Sequence, residues 1–464
     1  MQDIDRNFLS REDYEALMGR DWPSFNDFKN GCEIPMATKV ELENIFKAST
    51  LDENLSEREK FLLTQSKHFC MLPWIHLHSS PTGKILPCCY ASPKHPVGNS
   101  KENTFKEIWN NDSYKSIRKN MLQDKWCQEC DICYEAERFG IVSKRNESNK
   151  YYRHYINEVM ETNEDGSTNN FKIRYLDIRF SNLCNFKCRT CGPEFSSNWY
   201  QDYTKLNKQK NETTIHVPID DEDILFEQLE PHIPYLEEIY FAGGEPLIMK
   251  EHYRLLDKLV EYGKTDVRLL YNTNFSEMHY KDKYAFDYWP MFKDVRVHAS
   301  LDASGTKAEY IRKGTNWDQT INNRKLMIQK TPNVKFWITP TISAMNVLHV
   351  LDFHKQMVDQ QIITSAEKVL VHICLYPEHF RPNIFPKDFK DSVIIPAYEK
   401  HIEWLKLHDS YGECTKKFIN LLNFIRTDPD PTLYNKFLNT TNKIDSIRNE
   451  NFWETFPELT TYQQ

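Results

Sequence analysis

The spacing of apolar and polar positions changes character near residue 171. Residues 1–66 are charged, with apolar residues at helical intervals, and they predict a helical N-terminal extension. From about residue 171, short β-branched runs alternate with longer amphipathic stretches. Six strands are predicted in this part of the chain: Ile173–Arg179, Glu238–Ala242, Val267–Asn272, Val295–Leu301, Val334–Thr341 and Val369–Leu375.

Strands separated by helices imply βα units and a parallel sheet. The sequence therefore predicts an α/β fold in which residues 171–392 form a partial (β/α)6 TIM-like barrel, with functional residues at the carboxyl ends of its strands. A small cysteine-rich domain is predicted at 67–147. Residues 148–170 are predicted to be an exposed linker, because they end in the polar run 164–170, and residues 393–464 are predicted to be a helical C-terminal region.

Composition narrows the class of protein. The chain has 464 residues, of which 40% are hydrophobic and 27% charged, as expected of a globular protein with two or three domains. A net charge of -8 argues against a nucleic-acid polymer as partner. No apolar run approaches the ~18 residues of a membrane span, and the polar N-terminus is unlike a signal peptide. These features predict a soluble, cytoplasmic protein without a membrane partner.

Cysteine usage indicates metal or cluster chemistry. Twelve cysteines without a secretion signal favour metal binding over disulfides. Cys184, Cys188 and Cys191 have the spacing C-x3-C-x2-C, and no fourth cysteine follows nearby. Iron–sulfur clusters normally take four cysteine ligands, so three suggest one iron open to a non-protein ligand. Zinc is the alternative, and it would need a fourth Cys or His.

The run Ser181–Gly192 resembles the signature of the radical S-adenosylmethionine (SAM) enzymes, in which SAM binds the open iron of a [4Fe–4S] cluster. A second match, formed by Gly243, Gly244, Glu245 and Pro246, follows the second predicted strand. In the family, this motif contacts the amino group of the methionine moiety of SAM.

The same resemblance implies roles for residues at later strand ends. Asn274 follows the third predicted strand, and Ser300 and Asp302 match the position that binds the ribose hydroxyls of SAM. Arg312 resembles the arginine that pairs with the methionine carboxylate. Thr190 stands where family members often carry an aromatic residue against the adenine, so Phe186 or Tyr271 is expected to supply that packing.

A second cysteine group lies between Cys70 and Cys133. A β-hairpin with its turn near 81–83 would bring Cys70 and Cys88 together, and a following helix leads to the remaining cysteines. The group resembles the SPASM domain and its shorter form, twitch, which implies an auxiliary [4Fe–4S] cluster. The predicted ligands are Cys70, Cys88, Cys130 and Cys133; Cys127 is the main alternative and Cys89 the lesser one. A zinc ribbon is the competing interpretation. The family normally places this domain after the barrel, and here it comes first.

The resemblance implies an enzyme that cleaves SAM reductively to give a 5′-deoxyadenosyl radical, which abstracts hydrogen from a substrate C–H bond. A peptide or protein side chain is the expected substrate. A small molecule (a sugar, nucleoside or aminoglycoside-like compound) is the alternative, and a non-catalytic zinc or iron scaffold is a third. A reductant such as flavodoxin or ferredoxin is the implied partner. No catalytic residue is identified, and the reaction class is left open.

Overall fold

The computed structural model describes residues 55–138, 142–208 and 214–462. Most of the predicted N-terminal extension therefore lies outside the described residues. Its last part contains the short helix Glu57–Lys60, which Ser56 caps in a reciprocal arrangement with Glu59. In the described part of the chain, no helix is long and apolar enough to cross a membrane.

The described strands are numbered here in chain order. They are β1 His76–Ser79, β2 Lys84–Leu86, β3 Gly98–Asn99, β4 Tyr175–Ile178, β5 Lys187–Cys188, β6 Glu238–Phe241, β7 Arg268–Thr273, β8 His279–Tyr280, β9 Lys283–Tyr284, β10 Asp294–Ala299, β11 Arg312–Lys313, β12 Lys335–Ile338, β13 Thr341–Ile342 and β14 His372–Ile373.

Helices of varied length fill the intervals between the strands and the C-terminal region. The described α-helices after Glu57–Lys60 are Leu72–Ile75, Phe105–Trp109, Asp112–Leu122, Asp131–Arg138, Lys144–Tyr152, Ile156–Met160, Trp199–Asn207, Glu222–Leu229, Lys250–Glu261, Ala285–Tyr288, Gly305–Ile311, Trp317–Lys330, His349–Asp359, Lys387–Phe389, Ile395–His408, Glu413–Arg426, Thr432–Arg448 and Phe452–Thr455.

The main sheet has eight strands in the order β12-β10-β7-β6-β4-β1-β2-β3. Strands β12 to β1 run parallel, and β2 and β3 add antiparallel strands at one edge. The predicted α/β class with a large parallel sheet is confirmed. The first hairpin strand was expected in a separate small domain. In the structure β1 pairs directly with β4, so that His78 lies opposite Asp177 and the cysteine-rich region shares the sheet.

The two faces of the sheet differ in polarity. Leu176, Ile239, Leu269 and Val295 are buried in the main core, as are residues of the neighbouring helices. Successive side chains of a strand point to opposite faces, and most of the alternate positions are polar, with Leu270 as an apolar exception. Asp177, Tyr240, Asn272 and Arg296 occupy this polar face, as the register of the parallel strands shows. Any chemistry on the sheet is thus confined to one side.

The predicted sixth strand is much shorter than expected. Of Val369–Leu375, only β14 pairs as a strand, with β13, and Val369 makes an isolated bridge to Ile338. Pro340 lies between β12 and β13 and has no N–H to donate, which interrupts the ladder. The Pro340 carbonyl instead accepts a hydrogen bond from the His372 N–H at 3.1 Å.

The segment predicted to be an exposed linker is largely helical and packed. Helices Lys144–Tyr152 and Ile156–Met160 cover its first half. The Tyr152 ring stacks on Tyr175 of β4 with 6.0 Å between centroids, and the Arg268 guanidinium lies 4.8 Å from the Tyr151 ring. The two tyrosines therefore close the polar face of the sheet near the start of its strands. The polar run 164–170 forms a turn, as predicted.

Because β1 completes the main sheet, a core defect in β1 should destabilise the whole molecule. Leu77 is fully buried, and Leu77→Ala should lower the free energy of unfolding by about 2–4 kcal/mol. Denaturant unfolding followed by tryptophan fluorescence measures this change. Leu407→Ala is the matched control, since Leu407 is 82% exposed. Equal stability of the two variants would contradict the shared core.

Candidate functional site

The cysteine loop 184–191 follows β4 at its carboxyl end, where the fold collects its functional residues. Part of the loop is a strand, because β5 pairs antiparallel with β11 and places Cys188 opposite Arg312. The Arg189 N–H donates to the Ile311 carbonyl at 2.8 Å, and the Cys191 N–H donates to the Cys188 carbonyl at 3.1 Å. Backbone hydrogen bonds thus fix the spacing of the three thiols.

The double glycine after β6 packs directly against the start of this loop. The Gly244 N–H donates to the Ser181 carbonyl at 3.0 Å, and the Glu245 N–H donates to the Leu183 carbonyl at 2.8 Å. A Cβ atom on Gly244 would lie 2.0 Å from the Leu183 carbonyl oxygen, so no other residue fits there. Gly243 has a φ of +117°, which also favours glycine.

Glu245 and Pro246 of the same motif are buried and support the site from behind. The Glu245 carboxylate accepts hydrogen bonds from the Thr273 hydroxyl and the Asn274 N–H, both at 2.7 Å. Burial raises the pKa of Glu245 to about 7, although these hydrogen bonds oppose the shift. Glu245 therefore ties the end of β6 to the end of β7. Pro246 starts a short 3-10 turn.

A cavity of about 730 Å³ opens in front of the cysteine loop, within the size range of ligand pockets. Several of the predicted site residues line it together, namely Cys184, Cys188, Cys191, Gly243, Gly244, Asn274, Ser300 and Arg312. The Asn274 amide is held by the Asn185 side chain at 2.8 Å. Predicted site residues from the ends of four strands therefore meet at one cavity.

The two candidates for adenine packing lie on different sides of the sheet. Phe186 lines the cavity. Tyr271 is fully buried on the helix-covered side, where its ring stacks on Phe241 and its hydroxyl meets the His252 ring at 3.0 Å. Tyr271 cannot reach the cavity, and Phe186 borders the cavity with a side chain that is only 1% exposed, so neither ring presents an open face to a ligand.

Asp302 and Arg312 bind each other, which differs from the roles that the resemblance implies. Arg312 donates from Nε and Nη2 to the two Asp302 oxygens at 2.7 and 3.0 Å. Asp302 is 1% exposed and also accepts the Thr341 N–H at 2.8 Å. Both Asp302 oxygens therefore accept hydrogen bonds. This is expected of a buried charge, which needs a partner. Asp302 is not among the residues that line the cavity, and its expected contact with ribose hydroxyls stays a prediction.

Arg179 is a cavity residue that the sequence analysis missed. It follows β4, lines the cavity and lies beside Gly243, whose added Cβ would be 3.1 Å from the Arg179 Cβ. Its nearest counter-charge is the buried Asp177 carboxylate at 3.6 Å, and its Nε makes no hydrogen bond among the described residues. The alternation of Asp177 and Arg179 at a strand end was the available signal, but it matches no motif.

The C-terminal region, which had no predicted role, holds the outer side of the cysteine loop. Arg189, between the second and third cysteines, is fully buried and pairs with Asp445 and Glu450. Its guanidinium lies 3.6 Å from the centroid of the Tyr310 ring. Arg448 donates to Asp202 and to the Lys187 carbonyl, both at 2.8 Å. Helix Thr432–Arg448 is thus part of the framework of the site.

The second cysteine group surrounds a separate, small cavity. The four thiols named as ligands line it together: Cys70, Cys88, Cys130 and Cys133. Burial and the neighbouring thiols raise the pKa of Cys88 to about 12. Cys127 does not line this cavity, and its thiol contacts the Ile117 carbonyl at 3.8 Å instead. In the described part of the chain, no three His, Cys, Asp or Glu side chains converge closely enough for one metal ion. Four thiols around a cavity fit the donor set of a cluster.

Comparisons with known proteins agree with this donor set. Residues 70–134 match the family model of the SPASM iron–sulfur cluster-binding domain. A stretch of 104 residues is 30% identical to the GTP 3′,8-cyclase of Campylobacter lari, and it covers 22% of this chain and 28% of the cyclase. These two matches support the predicted radical SAM family with a SPASM-type domain. The predicted cofactors, SAM and iron–sulfur clusters including an auxiliary one, are those of this family.

Two solved structures are similar at a lower level. One is anSMEcpe with bound AdoMet, at 17% identity and a TM-score of 0.35, over 51% of this chain and 59% of that chain. The other is Streptococcus suis SuiB bound to S-adenosylmethionine, at 12% identity and a TM-score of 0.34, over 72% of this chain and 70% of that chain.

The geometry of the second cysteine group distinguishes Cys130 from Cys127. Cys130→Ala should lose or weaken the auxiliary cluster, because its thiol lines the four-cysteine cavity. Cys127→Ala should retain it. Iron and acid-labile sulfide per chain, measured after anaerobic reconstitution, report the difference. The reverse result would move the ligand from Cys130 to Cys127.

Proposed function

We propose that the chain is an enzyme that binds a [4Fe–4S] cluster through Cys184, Cys188 and Cys191 and binds SAM beside it. The observation that carries this proposal is the shared cavity wall formed by the three thiols, the double glycine and Ser300. When bound, the cluster supplies the electron that cleaves SAM to methionine and a 5′-deoxyadenosyl radical, which takes hydrogen from a substrate C–H bond.

The parallel strands would then act as a partial barrel whose polar face holds SAM at the strand ends. The Gly243–Gly244 segment is suited to the amino group of SAM, because its backbone borders the cavity without side chains. Ser300 offers a hydroxyl for the ribose. These residues would bind and orient the cofactor.

Arg179 is better placed than Arg312 for the methionine carboxylate of SAM. Two nitrogens of the Arg312 guanidinium already donate hydrogen bonds to Asp302. Arg179 lies next to Gly243, and the amino and carboxylate groups of methionine share one carbon atom. A group bound at the glycines therefore carries its carboxylate within reach of Arg179. Guanidinium forks match carboxylates in geometry as well as in charge.

The rim of the cavity supports a peptide or protein side chain as substrate. Phe195 and Tyr376 line the cavity and are 42% and 75% exposed. Leu375, next to Tyr376, and Leu183, next to Cys184, are also exposed. Exposed apolar residues around an opening are typical of surfaces that bind another chain. A peptide could contact this rim and extend one side chain into the cavity.

A small-molecule substrate is the second candidate. The observation that favours it is the similarity to GTP 3′,8-cyclase, whose name describes a nucleotide substrate.

A closed set of four cysteine ligands around the auxiliary cluster favours electron relay or a structural role over substrate binding. A flavodoxin or ferredoxin as electron donor and a location in the cytoplasm stay predictions. A zinc scaffold would contain zinc without sulfide, which metal analysis detects.

Loss of all three thiols at the main cavity tests the proposed activity. The triple variant Cys184→Ala, Cys188→Ala and Cys191→Ala should form no 5′-deoxyadenosine from SAM and dithionite, while it keeps the auxiliary cluster. Chromatography of the product and iron content per chain are the measurements. Cys414→Ala is the control, because Cys414 is buried elsewhere, with its thiol against the Val369 carbonyl. Cleavage by the triple variant at the native rate would remove the basis of the proposal.

The role of Arg179 is tested with two ligands that differ in the amino-acid part. Arg179→Gln should weaken binding of S-adenosylhomocysteine by about 10–100-fold, since a charged hydrogen bond is worth ~1.5–3 kcal/mol. Binding of 5′-methylthioadenosine, which lacks the carboxylate, should not change. Calorimetry on the reconstituted protein measures both affinities. Parallel losses for the two ligands, or no loss for either, would exclude a contact with the carboxylate.

A further inference from the structure

Arg312 faces a sulfur atom of the cysteine loop. Its Nη1 lies 3.8 Å from the Cys188 Sγ, within reach of an N–H···S hydrogen bond. The contact follows from the backbone, because Arg312 and Cys188 are register partners in the β5–β11 pair. The close fit of Gly314 against Phe186 and the Asn185 carbonyl keeps the two segments together. The donor is therefore held opposite the sulfur by secondary structure.

Asp302 fixes the direction in which the guanidinium points. It binds Nε and Nη2 side by side at 2.7 and 3.0 Å, which leaves Nη1 directed at the sulfur. The Thr341 N–H holds the carboxylate in turn at 2.8 Å. Asp302 is 1% exposed, so solvent screens this pair weakly. The Arg312 guanidinium is therefore preorganised, and it needs no movement to donate a hydrogen bond to the Cys188 thiolate.

We propose that the Arg312–Asp302 pair sets the reduction potential of the cluster held by Cys184, Cys188 and Cys191. The proposal rests on the proposed function, and it replaces the role in SAM binding that the sequence suggested for both residues. Hydrogen bonds to the sulfurs and local charge are established determinants of cluster potentials. A cation that donates to the Cys188 thiolate stabilises the reduced, more negative cluster and raises its potential. The Asp302 carboxylate opposes this effect while it orients the donor.

The two partners should therefore shift the potential in opposite directions. Arg312→Gln removes the cation and should move the midpoint to a more negative value. Asp302→Asn removes an anion and should move the midpoint to a less negative value. Arg312→Lys keeps the charge without the fork, and its midpoint should fall between those of the wild type and Arg312→Gln. A loss of packing alone would not produce shifts of opposite sign.

The measurement is a redox titration of the reconstituted full chain followed by electron paramagnetic resonance, with the auxiliary cluster as internal reference. Lys313→Gln is the matched control. Lys313 lies on the same strand and pairs with Glu450 at 2.7 Å, but it does not line the cavity. Its midpoint should equal that of the wild type. Binding of S-adenosylhomocysteine should be unchanged in Arg312→Gln.

Several results would overturn the proposal. An unchanged midpoint in Arg312→Gln together with weaker binding of S-adenosylhomocysteine would return Arg312 to the SAM site. Equal shifts in Arg312→Gln and Lys313→Gln would indicate a general disturbance of the strand. If Arg312→Gln does not retain the first cluster, the midpoints of Arg312→Lys and Asp302→Asn test the proposal instead. Unchanged midpoints in both variants would show that the Arg312–Asp302 pair does not set the reduction potential. A wild-type chain without a cluster at the three cysteines would instead reject the proposed function itself.

Discussion

The close approach of two backbones, at Gly244 and Leu183, is the constraint on which the main site depends. The hydrogen bonds from Gly244 and Glu245 to the cysteine loop place the three thiols against the end of β6. A methyl group at residue 244 would overlap the Leu183 carbonyl, so the loop would have to move away from the strand. The cavity wall then would not form, because its two halves meet at this contact. A short glycine motif thus controls the position of a whole loop.

Buried charges in this protein are paired across elements that are distant in sequence. Asp302 and Arg312 join a strand end to β11, and Arg189 joins the cysteine loop to Asp445 in the C-terminal helix. Such pairs add little net stability, because both partners lose hydration, but breaking one leaves an uncompensated charge. Their main effect here is to specify geometry. The cysteine loop is held by backbone hydrogen bonds on one side and by ion pairs on the other.

The cysteine-rich region and the main sheet form one structural unit. Strand β1 leaves the four-cysteine cavity and pairs with β4, the strand that leads into the cysteine loop. Helix Lys144–Tyr152 starts at Lys144 on the small cavity and lays Tyr152 on Tyr175 of the sheet. In the sheet, β1 lies between β4 on one side and the hairpin partner β2 on the other. The two cysteine sites are therefore connected through adjacent strands.

The α/β class, five of the parallel strands and the two cysteine groups could be predicted from the sequence, because alternation and spacing are local properties. The four predicted ligands Cys70, Cys88, Cys130 and Cys133 line one cavity, but the sequence left Cys127 open as an alternative. Tertiary structure decided the rest. Three features depend on tertiary contacts that no sequence motif indicates. They are the ion pair of Asp302 with Arg312, the position of Arg179 in the cavity, and the ion pairs of Arg189 with the C-terminal region. Tyr271 and Phe186 are both plausible against adenine by composition, and the side of the sheet on which each lies separates them.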